Sequence, residues 1–212
     1  MTAQPPTIHV VDDDPAIRKA LSRLLAAAGY GRVLYESAEA FLSGYEPGGS
    51  GCILLDLDLP GMDGFGIQDA LSAQGTALPV IFLTGTGDIP ASVRAIKAGA
   101  VDFLAKPVDA ATLLAAIEEA LAIDSARRAV RSANADLRSR LDTLTPRERQ
   151  VLDFVVRGWQ NKQIAAELGT AVKTIKVHRA RMMQKMGSPT LAELVRAMVE
   201  SDPNTAHPRL KP

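Results

Sequence analysis

With a single cysteine, Cys52, the chain cannot form an internal disulfide. That residue lies in the apolar run Cys-Ile-Leu-Leu, where a free thiol packs as a small hydrophobe, and such sparing use fits a reducing cytoplasm. No apolar stretch approaches the roughly 20 residues that cross a bilayer. The polar start Met1-Thr-Ala-Gln-Pro-Pro lacks the charged and apolar regions of a signal peptide, so no membrane partner is expected. Net charge is absent as well, 24 basic residues balancing 24 acidic ones, but the balance is uneven along the chain. Residues 1–124 carry 7 basic and 16 acidic side chains, a net of −9; residues 125–212 carry 17 and 8, a net of +9. A chain of 212 residues sits near the border between one domain and two, and the charge split favours two. The acidic half suits cations or cationic surfaces, the basic half a polyanion such as nucleic acid.

Short apolar runs at 8–11, 33–35, 52–55, 80–83 and 101–104 alternate with amphipathic stretches at 16–28, 38–42, 65–72, 91–98 and 110–121. Five strand-then-helix units predict an α/β domain, a parallel sheet covered by helices, with ligands at the carboxyl ends of the strands. Residues 113–144 hold neither proline nor glycine, which predicts a long helix. Ile123, Val130, Leu137 and Leu144 are spaced by seven, but their companions Arg127, Asn134 and Leu141 include one apolar residue. That pattern fits a coiled-coil seam or a solvated linker helix. The expected division is 7–124 for the α/β domain, 125–142 for a helical linker, 143–201 for an all-α domain and 202–212 for a disordered tail rich in proline.

Four strands end on polar residues that apolar packing does not require: Asp12 and Asp13, then Asp56, Thr84 and Lys106. Any one of the aspartates would pass as a solvated turn or helix cap; together they predict one crevice. Carboxylates so close repel one another unless a cation lies among them, and all-oxygen ligands suit Mg²⁺. Asp56 would then be a nucleophile forming an acyl phosphate, with Thr84 and Lys106 contacting the phosphoryl oxygens.

These residues resemble the receiver domains of bacterial response regulators over residues 7–124. The matching pieces are Val-Val-Asp12-Asp13, Leu-Leu-Asp56 with Pro60-Gly61-Met62, Leu-Thr84-Gly85, Lys97-Ala-Gly99-Ala and Lys106-Pro107, and Thr84-Gly-Thr-Gly-Asp-Ile-Pro90 is most similar to a FixJ-like subfamily. The resemblance implies that Asp56 is the phosphoacceptor; that Asp12, Asp13 and Asp56 hold Mg²⁺ with the backbone carbonyl of Asp58; and that Phe103 is the switch aromatic, although ordinary strand core would also explain it. It further implies a cis Lys106-Pro107 bond and a sensor histidine kinase as phosphoryl donor. Two residues depart from relatives: the acidic Asp58 two positions past the acceptor, and Thr86 where close relatives carry histidine; both are expected to alter phosphate loss. Leu55-Asp56-Leu57-Asp58 also resembles the nucleophile motif of haloacid-dehalogenase-type phosphatases. Against that, those enzymes place a small or branched residue where Leu59-Pro60 stands, and their paired aspartates come late rather than first.

In the basic half, Thr145-Pro146-Arg147-Glu148 reads as a helix start with a capping box, giving a helix to about 157 before Gly158. Asn161 is the expected cap of a second helix to 168; a third runs over 172–186 before Gly187, and Thr190 with Glu193 opens a fourth. Projected at about 100° per residue, Lys173, Lys176, Val177, Ala180 and Gln184 share a face flanked by Thr174 and Arg181, opposite Ile175, Met182 and Met186. A basic face with small residues at its centre suits a major groove, whereas His178 and Arg179 fall toward the packed side. The set Leu144-Thr-Pro-Arg-Glu148, Asn161-Lys-Gln-Ile-Ala165 and Thr174-Ile-Lys-Val-His178 resembles LuxR-type helix-turn-helix domains, with Ala171 standing where many relatives have a capping Ser or Thr. The whole then resembles a NarL/FixJ-type regulator, not an enzyme. Such a protein binds double-stranded promoter DNA and becomes a homodimer on phosphorylation.

Overall fold

A computed structural model describes residues 5–76, 78–85 and 89–201. Thr86 and the tail at 202–212 lie outside the described residues. The chain divides into two compact units, Met1–Arg128 and Ala129–Pro212. Among the described residues no helix is long and apolar enough to cross a membrane.

The first unit alternates β1 (Thr7–Val11), α1 (Pro15–Ala27), β2 (Gly31–Tyr35), α2 (Ala38–Gly44), β3 (Gly51–Asp56), α3 (Gly64–Ala73), β4 (Val80–Thr84), α4 (Ile89–Lys97), β5 (Asp102–Ala105) and α5 (Ala110–Asp142). The strands pair in parallel in the order β2-β1-β3-β4-β5. Because side chains alternate across a strand, Ile53 and Leu55 of β3 face a core with Phe41, Ile67 and Phe82, whereas Cys52 and Leu54 face one with Leu25, Leu113 and Ile117. Every residue of β3 is buried, which is why its run reads as continuously apolar. Strand order reverses between β1 and β3, so the loops leaving these neighbours diverge and a crevice opens at their carboxyl ends.

The long helix α5 stays fastened to this unit beyond its apolar stretch. Asp124, buried on α5, accepts hydrogen bonds from the Ser50 hydroxyl (3.0 Å) and the Gly51 amide (3.2 Å), and Arg128 donates to the Gly48 carbonyl at 2.6 Å. Cys52 lies next in sequence to this anchor. Burial, reinforced by the Asp124 charge, pushes its thiol up to about 12.

In the second unit the end of α5 is followed by α6 (Pro146–Val156), α7 (Asn161–Glu167), α8 (Val172–Met186) and α9 (Leu191–Ser201) around a core that includes Val151, Leu152, Ile164, Ile175 and Met182. Leu137 and Leu141 of α5 pack on this core and Leu144 is buried in it, while Val130 is exposed. The seven-residue spacing therefore divides between a packed end and a solvated stretch and is not one continuous apolar seam. Thr145 and Glu148 form the expected capping box: the Thr145 hydroxyl accepts from the Glu148 amide at 3.3 Å, and the Glu148 carboxylate accepts from the Thr145 amide at 2.9 Å. Glu148 is buried and also meets Lys185 Nζ at 2.6 Å. Lys185 and the Thr145 amide together hold its carboxyl down at about 2. One expectation fails at α7, whose N-cap is Gln160, its amide donating to the Gln163 side chain at 2.8 Å. Asn161 instead accepts from Arg179 Nη1 at 3.2 Å, a partner 18 residues away that local capping rules cannot see.

Two outcomes follow from these environments. Cys52, fully buried and held as the neutral thiol, should label with a maleimide at pH 8 only as fast as the first unit unfolds. Labelling of the native chain at the rate of an exposed thiol contradicts this. Glu148 has a depressed folded-state pKa, so its contribution to stability is complete above about 4.5 and is lost as pH falls toward about 2. Trp159, the sole tryptophan, packs on the second core and reports that unit's unfolding. Glu148→Gln should flatten the acid-side fall in its melting temperature, and an unaltered pH profile would refute the assignment.

Candidate functional site

Asp12 follows β1 and Asp56 ends β3, so the adjacency of these two strands brings both carboxylates to the switch-point crevice. Both are almost wholly buried, at 1% and 6% exposure, while Asp13 is exposed at the rim. One carboxylate oxygen from each of the three lies within 4.8 Å of the others. Lys106, just past β5, places Nζ 2.8 Å from Asp12 Oδ2 and 2.9 Å from Asp56 Oδ2. Three carboxylates against one ammonium leave two formal negative charges, the deficit a divalent cation would fill with oxygen ligands.

The electrostatics are balanced against each other. Burial raises the Asp12 pKa, opposed by the bonds from Lys106 and from the Asp14 amide and reinforced by the charge of Asp56. For Lys106 burial alone would lower the pKa, but its bonds to Asp12 and Asp56 hold it above the usual ammonium value. Asp12 is fixed from behind, its carbonyl accepting from Arg18 Nη1 at 2.7 Å and its Oδ1 from the Asp14 amide at 2.9 Å. Lys106 is fixed by its own amide, which donates to the Thr84 carbonyl at 2.7 Å, and the Lys106-Pro107 peptide is cis.

The structure thus brings Asp12, Asp13, Asp56 and Lys106 together. Thr84, fully buried at the end of β4, is tied to Lys106 through the backbone. Asp58 is exposed; its amide lies 3.4 Å from Asp56 Oδ1, and its carboxylate is not part of the three-carboxylate cluster. Phe103 on β5 is partly buried, its ring 6.2 Å from that of Phe82, which in turn lies 5.3 Å from Phe65 beneath the Arg94 guanidinium. Sequence reasoning missed Arg18 and Gly64. A Cβ on Gly64 would stand 2.8 Å from the Asp56 carbonyl and 2.8 Å from the Phe82 ring, so only glycine lets α3 approach the strand end. The lone signal for either was the Asp14-Pro15 helix start that sets the phase of Arg18.

In the second unit α7 and α8 join through Gly169, at φ +59°, in a helix-turn-helix. Lys173, Thr174, Lys176, Val177, Ala180, Arg181 and Gln184 are all exposed on α8, and Ile175, Met182 and Met186 are buried. His178 and Arg179 are partly buried, the latter bonded to Asn161. The N-cap of α8 is Ala171, which supplies no side-chain hydrogen bond.

Residues 8–118 match the model of the response regulator receiver domain, and residues 142–198 that of the bacterial regulatory proteins of the luxR family. The chain is 43% identical to the tetrathionate response regulatory protein TtrR of Salmonella typhimurium, over 90% of each protein. It is 41% identical to the transcriptional regulatory protein FixJ of Bradyrhizobium diazoefficiens, over 89% of this chain and 92% of FixJ. Among solved structures it is similar to the response regulator StyR (TM-score 0.83, 44% identity, 92% of this chain and 98% of StyR) and to full-length FixJ from B. japonicum (TM-score 0.56, 39% identity, 94% and 98%). These matches, with paired aspartates leading and the strand that ends on Asp56 third, leave the phosphatase motif as a local coincidence. The chain belongs to the response regulators, a two-component receiver domain joined to a luxR-family DNA-binding domain that acts in transcription regulation.

Proposed function

We propose that Asp56 accepts a phosphoryl group from a sensor histidine kinase in the cytoplasm, and that this promotes dimerisation and binding to promoter DNA. The observation that carries the reading is the cluster of Asp12, Asp13 and Asp56 with Lys106 bridging two of them. An Asp56 carboxylate oxygen attacks phosphorus; the bond to the donor's imidazole nitrogen breaks, its electron pair staying on that nitrogen, and an acyl phosphate forms. Asp12, Asp13 and Asp56, with the carbonyl of Asp58, would hold Mg²⁺, which neutralises charge on the transferred oxygens. Lys106 leaves the Asp56 carboxylate for the phosphoryl oxygens, and the Thr84 hydroxyl donates to another. Phe103 would follow Thr84 as the switch aromatic. Ile89, Val93 and Ile96 expose an apolar stripe on α4, surface of the kind a second copy would cover. On DNA, Lys173, Thr174, Lys176 and Arg181 would meet phosphates and base edges, Val177 and Ala180 thymine methyls.

Incubated with acetyl phosphate and Mg²⁺, the wild type should gain the mass of one phosphoryl group and dimerise; Asp56→Asn should do neither. Equal labelling of both proteins sinks the assignment. Lys176→Ala should weaken binding to all duplexes about equally and reduce the salt slope by about 1, as expected for a phosphate contact. Thr86→His should change the rate of phosphate loss, and an unchanged rate ends the idea that this position sets the lifetime.

A further inference from the structure

We propose that Arg140, in the last turn of α5, is a positioning residue for the recognition helix α8, so that operator affinity depends on a side chain that makes no contact with DNA. The inference rests on reading α8 as the recognition helix and adds to it a determinant outside the luxR-family match, which begins at residue 142.

The carbonyls of a helix's last turn have no partner within the helix, and the negative end of the dipole draws cations. At the end of α8, the Gly187 amide turns back to the Gln184 carbonyl, and Arg140 Nη1 donates to the Met186 carbonyl at 2.8 Å. The seat for the guanidinium is built in. Gly187 takes φ +63°, and a Cβ there would stand 2.7 Å from Arg140 Nη1 and 3.2 Å from its Cζ. A reciprocal bond runs the other way: Lys185 of α8 donates to the Thr143 carbonyl at 2.9 Å, just past the end of α5, while its pairing with Glu148 reaches into the start of α6. Leu137 and Leu141, on either side of Arg140, pack on the same core as Met186. The last turn of α5 and the last turn of α8 therefore each satisfy a carbonyl beyond or at the end of the other.

The opposite end of α8 makes this fastening count. Ala171 gives α8 no side-chain cap, so its first-turn amides have no side-chain partner at the N-cap; Arg147 reaches the Leu168 carbonyl in the preceding turn and Arg179 ties the middle of α8 to Asn161, which leaves Arg140 as the side chain that caps the far end. Arg140 reaches α8 beside Met186, which is buried, whereas the candidate DNA face is the exposed set from Lys173 to Gln184. Its cation is thus placed to hold the helix, not to neutralise a phosphate.

The test uses the full chain incubated with acetyl phosphate and Mg²⁺, and a duplex enriched from a random double-stranded pool by the wild type so treated. Arg140→Ala should bind that duplex roughly three- to tenfold more weakly, the scale of one lost hydrogen bond from a solvent-accessible side chain. The slope of log affinity against log salt should stay at the wild-type value, because no phosphate contact is removed. Arg140→Lys should recover most of the affinity, and Arg138→Ala, an exposed neighbour of equal charge, should stay within about twofold. Hydrogen exchange in Arg140→Ala should quicken at amides 183–187, with Trp159 fluorescence still reporting a folded unit at the binding temperature. Wild-type affinity in Arg140→Ala overturns the proposal. So does a salt slope reduced by about one, which would make Arg140 a phosphate contact, or a loss of affinity wholly accounted for by unfolded protein. A wild type that enriches no duplex removes the recognition-helix reading itself, a failure distinct from any in the variants.

Discussion

The ammonium of Lys106 lies 2.8 Å from Asp12 and 2.9 Å from Asp56, two carboxylates that the sheet order forces together and that hardly any water reaches. Much else in the first unit serves this contact. Placing β1 beside β3 brings the acids to one strand end, and placing β5 beside β4 lets the Lys106 amide bond to Thr84. Arg18 and the Asp14 amide hold Asp12 from behind. Without the lysine, two buried like charges would face one another across an unsolvated gap, a cost of several kcal/mol in such surroundings.

The second unit contains the same kind of pair with the opposite outcome. Glu148 is as buried as Asp12 and also meets one lysine and one backbone amide. Its carboxyl is nonetheless held at about 2, whereas that of Asp12 is raised above its ordinary value despite Lys106. For Asp12 burial is the leading cause, only partly offset by the bonds from Lys106 and the Asp14 amide and reinforced by the Asp56 charge, while for Glu148 the bonds from Lys185 and the Thr145 amide outweigh burial. A carboxylate that the protein satisfies in full is structural, and one left short of positive charge beside a crevice is poised to bind it.

The strand-end residues were legible because a parallel strand buried on both faces leaves no reason for Asp, Thr or Lys at its end, and five repeats of the pattern fix where the ends converge. The exposed face of α8 was legible by the same periodic logic, with Ile175, Met182 and Met186 buried opposite it. What stayed hidden depends on partners distant in sequence. Asp124 looks like an ordinary solvated helix residue until the loop at 48–51 folds beneath it. Asn161 looks like a cap until Arg179 claims its oxygen. Asp58 is expected to contribute only its backbone carbonyl, and its carboxylate lies outside the three-acid cluster.

Helix α5 shows why the seven-residue spacing was ambiguous. At about 100° per residue, positions 113, 117, 120 and 124 fall within one narrow stripe, and these are among the residues it buries at its start. Positions 130, 137 and 141 fall along a second stripe roughly 100° away, of which 137 and 141 pack and 130 does not. A helix that serves one core at its start and another at its end cannot present a single apolar face along its length. The absence of proline and glycine over 113–144 says that the helix is continuous; the change of stripe says that its two ends answer to different cores. Weak amphipathicity inside an unbroken helical run is thus information about domain structure, and it places Arg140 on the DNA-binding side of that change, where its bond to α8 is found.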